Sequence, residues 1–278
     1  MIDSHTHTFY SKHAIGTVDE LVREAIAKGI EILTITDHAP FYVDRQNRLF
    51  ENELDQYFAD IEKAKRDYSG AIKILRGLEL DYMLGAYDYT AQILARHDLD
   101  FVIGSIHYIP LTGGDQVKVW ELSRLADTNV LASYFEVLAE LLECGLFDAV
   151  GHADTLLRGV PDSVLHDYLE PLLPLFTRYN VAFELNASGL RKTRLDLQSG
   201  QEVHGSWSYP SLSLLPKLIS QGTTFTIGSD AHAPIDVGAG IRELVDALMP
   251  IGLTRISYFK DRQRVDVPVK LLTASAMR

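Results

Sequence analysis

Asp3-Ser4-His5-Thr6-His7-Thr8 is the stretch on which the reading of the fold turns. It follows an apolar Ile2 and reads as strand. With a strand period of two, both imidazoles leave the same face and can share one metal ion. A second pair at the same spacing, Asp230 and His232, follows the apolar run Phe225-Thr226-Ile227-Gly228. Between the two pairs, His38, His107 and His152 stand at the ends of three further apolar runs. The expectation is that these strand ends converge on one polynuclear metal site.

Outward from the first strand, Thr17 with Glu20 three residues later is a capping box. Val18, Leu21, Val22, Ala25 and Ile26 then keep helical spacing as far as Lys28-Gly29. The run from Ile30 to Thr36 is a buried parallel strand, closed by Asp37-His38-Ala39-Pro40, where proline ends the ladder. The same alternation predicts strands over 72–80, 101–107, 148–152, 181–186 and 223–230. Helices are expected near 53–68, 88–96, 129–144, 163–178, 211–220 and 238–248, and the tail over 255–262 adds a short strand or closes one end. Seven βα units without a linker predict an α/β barrel, or a barrel-like parallel sheet, as a single domain over 1–278.

Charge limits the partners. The chain has 26 basic and 38 acidic residues, a net charge of -12, which repels nucleic acid and anionic membranes unless a local site reverses it. Bound divalent ions would reverse it for a small phosphorylated substrate. No basic patch is interleaved with aromatics, and no run of 18 apolar residues spans a membrane. The start carries no signal-peptide pattern and the single cysteine, Cys144, forms no intrachain disulfide, so a cytoplasmic location is expected.

In a parallel sheet covered on both faces, a polar side chain within a strand is costly unless satisfied. Here such residues gather at strand C-terminal ends, where barrels carry their chemistry. They are His5, His7, His38, Glu79, His107, His152, Asn186, Asp230 and His232, with His13 added from a loop. One histidine after a strand needs no more than a hydrogen-bonding role; the repetition from strand to strand is what points to metal. A carboxylate has two coordinating oxygens, so Glu79 can bridge two ions. Imidazole mixed with carboxylate suits zinc, iron or manganese better than calcium and does not choose among the three.

These pieces resemble the polymerase-and-histidinol-phosphatase (PHP) superfamily of metal-dependent phosphoesterases. The matching motifs are Asp3-Ser-His-Thr-His7, His13-Ala14, Thr36-Asp-His38, Leu78-Glu79, Gly104-Ser-Ile-His107, Gly151-His152 and Gly228-Ser-Asp-Ala-His232. Asn186-Ala-Ser-Gly-Leu-Arg191 and Tyr258-Phe-Lys260 point further, to its histidinol-phosphatase branch. The resemblance implies a distorted (β/α)7 TIM-like barrel with three divalent transition-metal ions, zinc, manganese or iron. It assigns His5, His7, Glu79 and Asp230 to the first ion, Glu79 with His107 and His152 to the second, and His13, His38 and His232 to the third. It also implies hydrolysis of L-histidinol phosphate, a step of histidine biosynthesis.

Glu79 and Asp230 are the expected catalytic carboxylates, with Asp37 either orienting a metal ligand or capping the turn that follows it. Arg191 leads the expected phosphate contacts, followed by Arg158 and Arg194, with Lys192 read as a solvated loop charge. Tyr108 is expected to shape the pocket, and Asp44, Asp81 and Glu184 are loose candidates for an amine. His97, His166 and His204 are expected to be structural or exposed. Alternatives are a phosphoesterase for another small monoester, a phosphotyrosine or a nucleotide. More distant ones are an amidohydrolase or deaminase, or a nonenzymatic metal-binding interaction module.

Overall fold

The computed structural model describes residues 1–205 and 207–270. Its strands are β1 (Ile2–Asp3), β2 (Ile32–Ile35), β3 (Lys73–Asp81), β4 (Phe101–Ser105), β5 (Tyr108–Pro110), β6 (Gln116–Lys118), β7 (Ala149–Val150), β8 (Ala182–Asn186), β9 (Arg194–Leu195), β10 (Glu202–Val203), β11 (Phe225–Gly228), β12 (Arg255–Lys260) and β13 (Gln263–Pro268). Seven of them form one parallel sheet in the order β1-β2-β3-β4-β7-β8-β11. The two edges then meet. Ser4 N donates to Ile227 O at 2.9 Å, Asp230 N to His5 O at 2.8 Å and His7 N to Ala231 O at 2.8 Å, which nearly closes the barrel.

Glycine permits that seam: a Cβ on Gly228 would stand 2.3 Å from the Cβ of His5. Buried Asp3 staples the same seam, accepting from Ser229 N and Oγ and from Gly238 N at 2.6–2.8 Å. This is the distorted (β/α)7 barrel expected from the sequence.

Helices α1 (Val18–Ala27), α2 (Leu54–Asp67), α3 (Tyr87–Leu94), α4 (Thr128–Glu143), α5 (Asp162–Leu169), α6 (Leu173–Arg178), α7 (Leu215–Ser220) and α8 (Ile241–Leu248) cover the outside. The Thr17–Glu20 capping box forms as read. Two helices depart from expectation. The segment 163–178 is broken into α5, a 3-10 turn and α6, because Pro171 and Pro174 lack the N–H that a continuous helix needs. The helix expected from 211 begins only at Leu215, next to Pro216. The antiparallel ribbons β5/β6 and β9/β10 were not anticipated; each pairs only two or three residues, too few to show a period.

The tail forms a hairpin, β12/β13, that closes the N-terminal mouth of the barrel. Phe259 enters the small inner cluster of Phe101, Ile103, Ala149 and Ala182 and stacks on Phe101 at 5.0 Å. Arg262 fixes the hairpin through Asp148 Oδ2 at 2.5 Å and Leu146 O at 2.7 Å. Phe259→Ala should therefore cost about 3–5 kcal/mol by leaving a cavity at the barrel axis. Denaturant unfolding measures this, and a loss below about 1 kcal/mol would show that the plug is not part of the core.

Candidate metal centre

Every barrel strand delivers a polar side chain to one mouth. His5 and His7 follow β1, His38 follows β2, Glu79 and Asp81 end β3, and His107 follows β4. His152 follows β7, Glu184 and Asn186 lie in β8, and Asp230 and His232 follow β11. Two of these residues sit in left-handed backbone, His152 at φ 32° and Asp230 at φ 52°. Neither is glycine, so the fold holds strained turns at both positions, a feature that concentrates at functional sites.

Glu79 lies between two groups of imidazoles. Its Oε2 stands 3.3 Å from His5 Nε2, 3.5 Å from His7 Nε2 and 3.0 Å from His38 Nδ1. Its Oε1 stands 3.2 Å from His152 Nε2 and 3.6 Å from His107 Nε2, and accepts from Ser105 Oγ at 2.6 Å. Asp230 Oδ1 lies 3.3 Å from His7 Nε2 and 3.9 Å from His5 Nε2. His13 and His232 face each other through Nε2 atoms 3.1 Å apart.

Among the described residues, three sets have ligand atoms mutually close enough for one ion: His5–His7–Asp230, His38–Glu79–His107 and His7–His38–His232. These cut across the expected grouping. His38 leans toward Glu79 and His107, and His7 joins two sets, because its ring packs between His38 at 4.6 Å and His232 at 4.4 Å.

The donors fit divalent metal. The Nε2 atoms of His5 and His7 are 3.0 Å apart, while Glu79 Oε2 and His38 Nδ1 are buried without hydrogen-bond partners. With His5 Nδ1 donating to Glu184 and His7 Nδ1 to Ser11 Oγ, both Nε2 atoms present lone pairs, which repel at this distance unless a cation lies between them. Bonds of about 2.0–2.1 Å to a tetrahedral ion place two ligand atoms about 3.3 Å apart, near the spacings found here. Burial lowers His7 to about 3, His38 to about 4 and His232 to about 3, so these rings are neutral at pH 7, the form that binds metal. Burial also opposes charge on Glu79, but His38, His5 and His107 outweigh it and hold the carboxyl well below its usual range.

Two carboxylates orient the rings. Glu184 Oε1 bonds His5 Nδ1 at 2.6 Å, and its Oε2 accepts from His152 N at 2.8 Å and Asn186 Nδ2 at 3.0 Å. Asp81 Oδ1 bonds His107 Nδ1 at 2.7 Å. Fixing the distal nitrogen sets the tautomer and aims the other nitrogen at the centre. By sequence alone both carboxylates are only loose candidates for an amine contact. The period-two rule could have found them, since Asp81 shares a strand face with Glu79 and Glu184 with Asn186. Glu184→Gln puts an amide donor into this acceptor position and should weaken metal affinity about 10–100-fold. Competition with a chelator reads this out; unchanged affinity would remove Glu184 from ligand support.

Asp37 does not reach the mouth. It is fully buried, accepting from Thr8 N and Oγ1 at 2.8 Å and from Ser11 Oγ at 2.6 Å. Ser11 Oγ in turn lies 3.2 Å from His7 Nδ1 and accepts from His38 N at 3.1 Å. Asp37 thus meets His7 and His38 only through Ser11 and does not line the cleft.

The ligands open into a cleft of about 320 Å³ that is also lined by Asp44, Tyr108, Trp120, Arg158 and Lys192. Arg191, the leading expected phosphate contact, is not part of that lining. Its guanidinium donates to the carbonyls of Ala187, Ala239 and Ser229 at 2.8–3.2 Å, tying the loop after β8 to the one after β11. Arg194 does not line the cleft either. Lys192, read as a solvated charge, does line it and pairs with Asp230 Oδ2 at 2.6 Å. One residue of loop register separates Arg191 from Lys192, and sequence carries no signal for it. Arg158 and Tyr108 both line the cleft. His204 is exposed beside Thr193 Oγ1, and His97 packs on Phe58. No helix among the described residues is long and apolar enough to cross a membrane.

The PHP domain model matches residues 3–188. The chain belongs to the PHP family and is a metal-dependent phosphoesterase of that kind. Within the family its likeness runs to the histidinol-phosphatase branch. A protein named probable histidinol-phosphatase from Deinococcus radiodurans is 29% identical over 264 residues, covering 93% of this chain and 96% of that one. A probable histidinol-phosphatase from Schizosaccharomyces pombe is 24% identical over 284 residues, covering 92% and 88%. The crystal structure of the Lactococcus lactis histidinol phosphate phosphatase, complexed with zinc, L-histidinol and phosphate, superposes with a TM-score of 0.76. That enzyme is 21% identical, with 95% of this chain and 98% of that chain covered.

Proposed function

We propose that this phosphoesterase is a histidinol-phosphatase, converting L-histidinol phosphate to L-histidinol and phosphate on three divalent ions. The observation that carries the reading is the position of Glu79, one oxygen facing His5 and His7 and the other facing His107 and His152, below a cleft with both cationic and acidic walls. His5, His7, Glu79 and Asp230 would hold one ion. Glu79, His107 and His152 would hold a second, and His13, His38 and His232 a third. Their imidazole and carboxylate chemistry suits zinc, manganese or iron. When bound, such ions supply positive charge to phosphoryl oxygens and acidify water.

The chain's own residues do the rest. Arg158 and Lys192 give the cleft two cations for the remaining phosphate oxygens. Asp230 keeps Lys192 protonated: burial lowers the ammonium's pKa, but the Asp230 charge outweighs this and raises it. Glu184 and Asp81 hold His5 and His107 in one ring orientation while charge builds on phosphate. Asp44 offers a carboxylate to the substrate amine, and the rings of Tyr108 and Trp120, 5.6 Å apart edge to face, offer an aromatic wall to its imidazole. The relatives' names and the ligands of the Lactococcus lactis enzyme support the same substrate.

The test is a kinetic panel with purified protein reconstituted in turn with Zn²⁺, Mn²⁺ and Fe²⁺. L-histidinol phosphate, a phosphotyrosine peptide, a nucleoside monophosphate and 4-nitrophenyl phosphate are the substrates. The expected result is a kcat/KM for histidinol phosphate at least about 100-fold above the others, a difference of roughly 2.7 kcal/mol. Equal values across the panel would leave a phosphoesterase without this substrate.

A further inference from the structure

We propose that Arg48 is a positioning residue that couples the substrate wall of the cleft to the metal-ligand geometry at His107, an inference resting on the metal-centre reading above. Arg48 is almost completely buried, at 3% exposure, and faces two ways. One arm of its guanidinium donates to Asp81 Oδ2, whose other oxygen bonds His107 Nδ1 at 2.7 Å. Its Nε donates to Asp44 O at 3.0 Å. Asp44 lines the cleft in a left-handed turn at φ 48° and accepts a hydrogen bond from the Tyr108 hydroxyl. Tyr108 follows His107 in the chain, so the contacts close into a circuit: Arg48, Asp81, His107, Tyr108, Asp44 and back to Arg48. The Phe41 and Tyr108 rings lie 5.7 and 5.9 Å from the guanidinium carbon and keep water from the cation.

All five residues of this circuit line the cleft, and one of them, His107, is a candidate metal ligand. A planar guanidinium holds two acceptors in fixed directions, which a lysine ammonium on a flexible stem does not. Without Arg48, Asp81 becomes a buried carboxylate lacking its counterion, and its grip on His107 loosens. The left-handed turn at Asp44 also loses one of the two donors to its carbonyl, keeping only Asn47 N at 3.1 Å. Metal loading and wall placement therefore affect each other, and the coupling is reciprocal.

The experiment titrates Zn²⁺ into metal-free protein with bound ions counted. KM is then measured at saturating Zn²⁺ for L-histidinol phosphate and for 4-nitrophenyl phosphate, which has no amine. Arg48→Met is expected to weaken Zn²⁺ binding at one site by about 10–100-fold. At saturating Zn²⁺ it should recover kcat but keep KM for histidinol phosphate raised about tenfold, with KM for 4-nitrophenyl phosphate within about twofold. Arg48→Lys restores the charge beside Asp81 but not the fork, so it should recover Zn²⁺ affinity and retain the KM defect. Tyr108→Phe cuts the circuit at Asp44 and should raise KM for histidinol phosphate with Zn²⁺ affinity intact.

Unchanged Zn²⁺ affinity in Arg48→Met, or an equal KM rise for both esters, overturns the coupling. If Arg48→Met does not fold, the lysine and phenylalanine variants decide alone, and a wild-type KM in both overturns it. Wild-type protein that binds no Zn²⁺ or leaves histidinol phosphate intact defeats the proposed function instead. An active wild type with unshifted variants defeats only the role of Arg48.

Discussion

Glu79→Gln is expected to lower turnover by about a thousandfold or more, equivalent to at least roughly 4 kcal/mol of transition-state stabilisation, and to release at least one bound ion per chain. The size follows from position. The Glu79 carboxylate lies within 3.6 Å of five imidazoles, His5, His7, His38, His107 and His152. An amide removes the charge and one of the two oxygens, and it aims N–H groups at nitrogen lone pairs. Elemental analysis and steady-state kinetics on the same preparation measure both effects. A variant retaining its metal and within tenfold of wild-type turnover would show that Glu79 bridges nothing.

Asp230→Asn should reduce turnover by about 100–1,000-fold while leaving the melting temperature almost unchanged. Burial works against the Asp230 charge, but Lys192, then His5, and a hydrogen bond from His7 hold the carboxyl well below its usual range. Asparagine keeps the shape and removes that charge. It also tolerates the left-handed backbone at this position better than most residues, so the turn should survive. The Lys192 ammonium, still in the cleft lining, loses its counterion 2.6 Å away. A large fall in melting temperature would show that Asp230 acts through the barrel seam rather than through chemistry; full turnover would remove it from the centre.

Aromatic and acidic side chains line the cleft, and the candidate metal ligands form its floor. Those two parts were unequally legible. Period two in the first and last barrel strands placed His5 with His7 and Asp230 with His232, and the closing seam between β1 and β11 brings the two pairs together. The break in the helix expected over 163–178 is legible as well, in Pro171 and Pro174.

The sequence alone determined the alternation of strand and helix, the barrel it builds, and the residue types that gather at one mouth. Those depend on periodicity and chain direction, which are local. Only tertiary structure decided that His7 serves two clusters and that Glu184 and Asp81 hold ring nitrogens rather than an amine. It also decided that Lys192 faces the cleft while Arg191 ties two loops together. Such choices depend on which unpaired carbonyl or imidazole lies within about 3 Å of a side-chain tip, a distance set by elements remote in the chain.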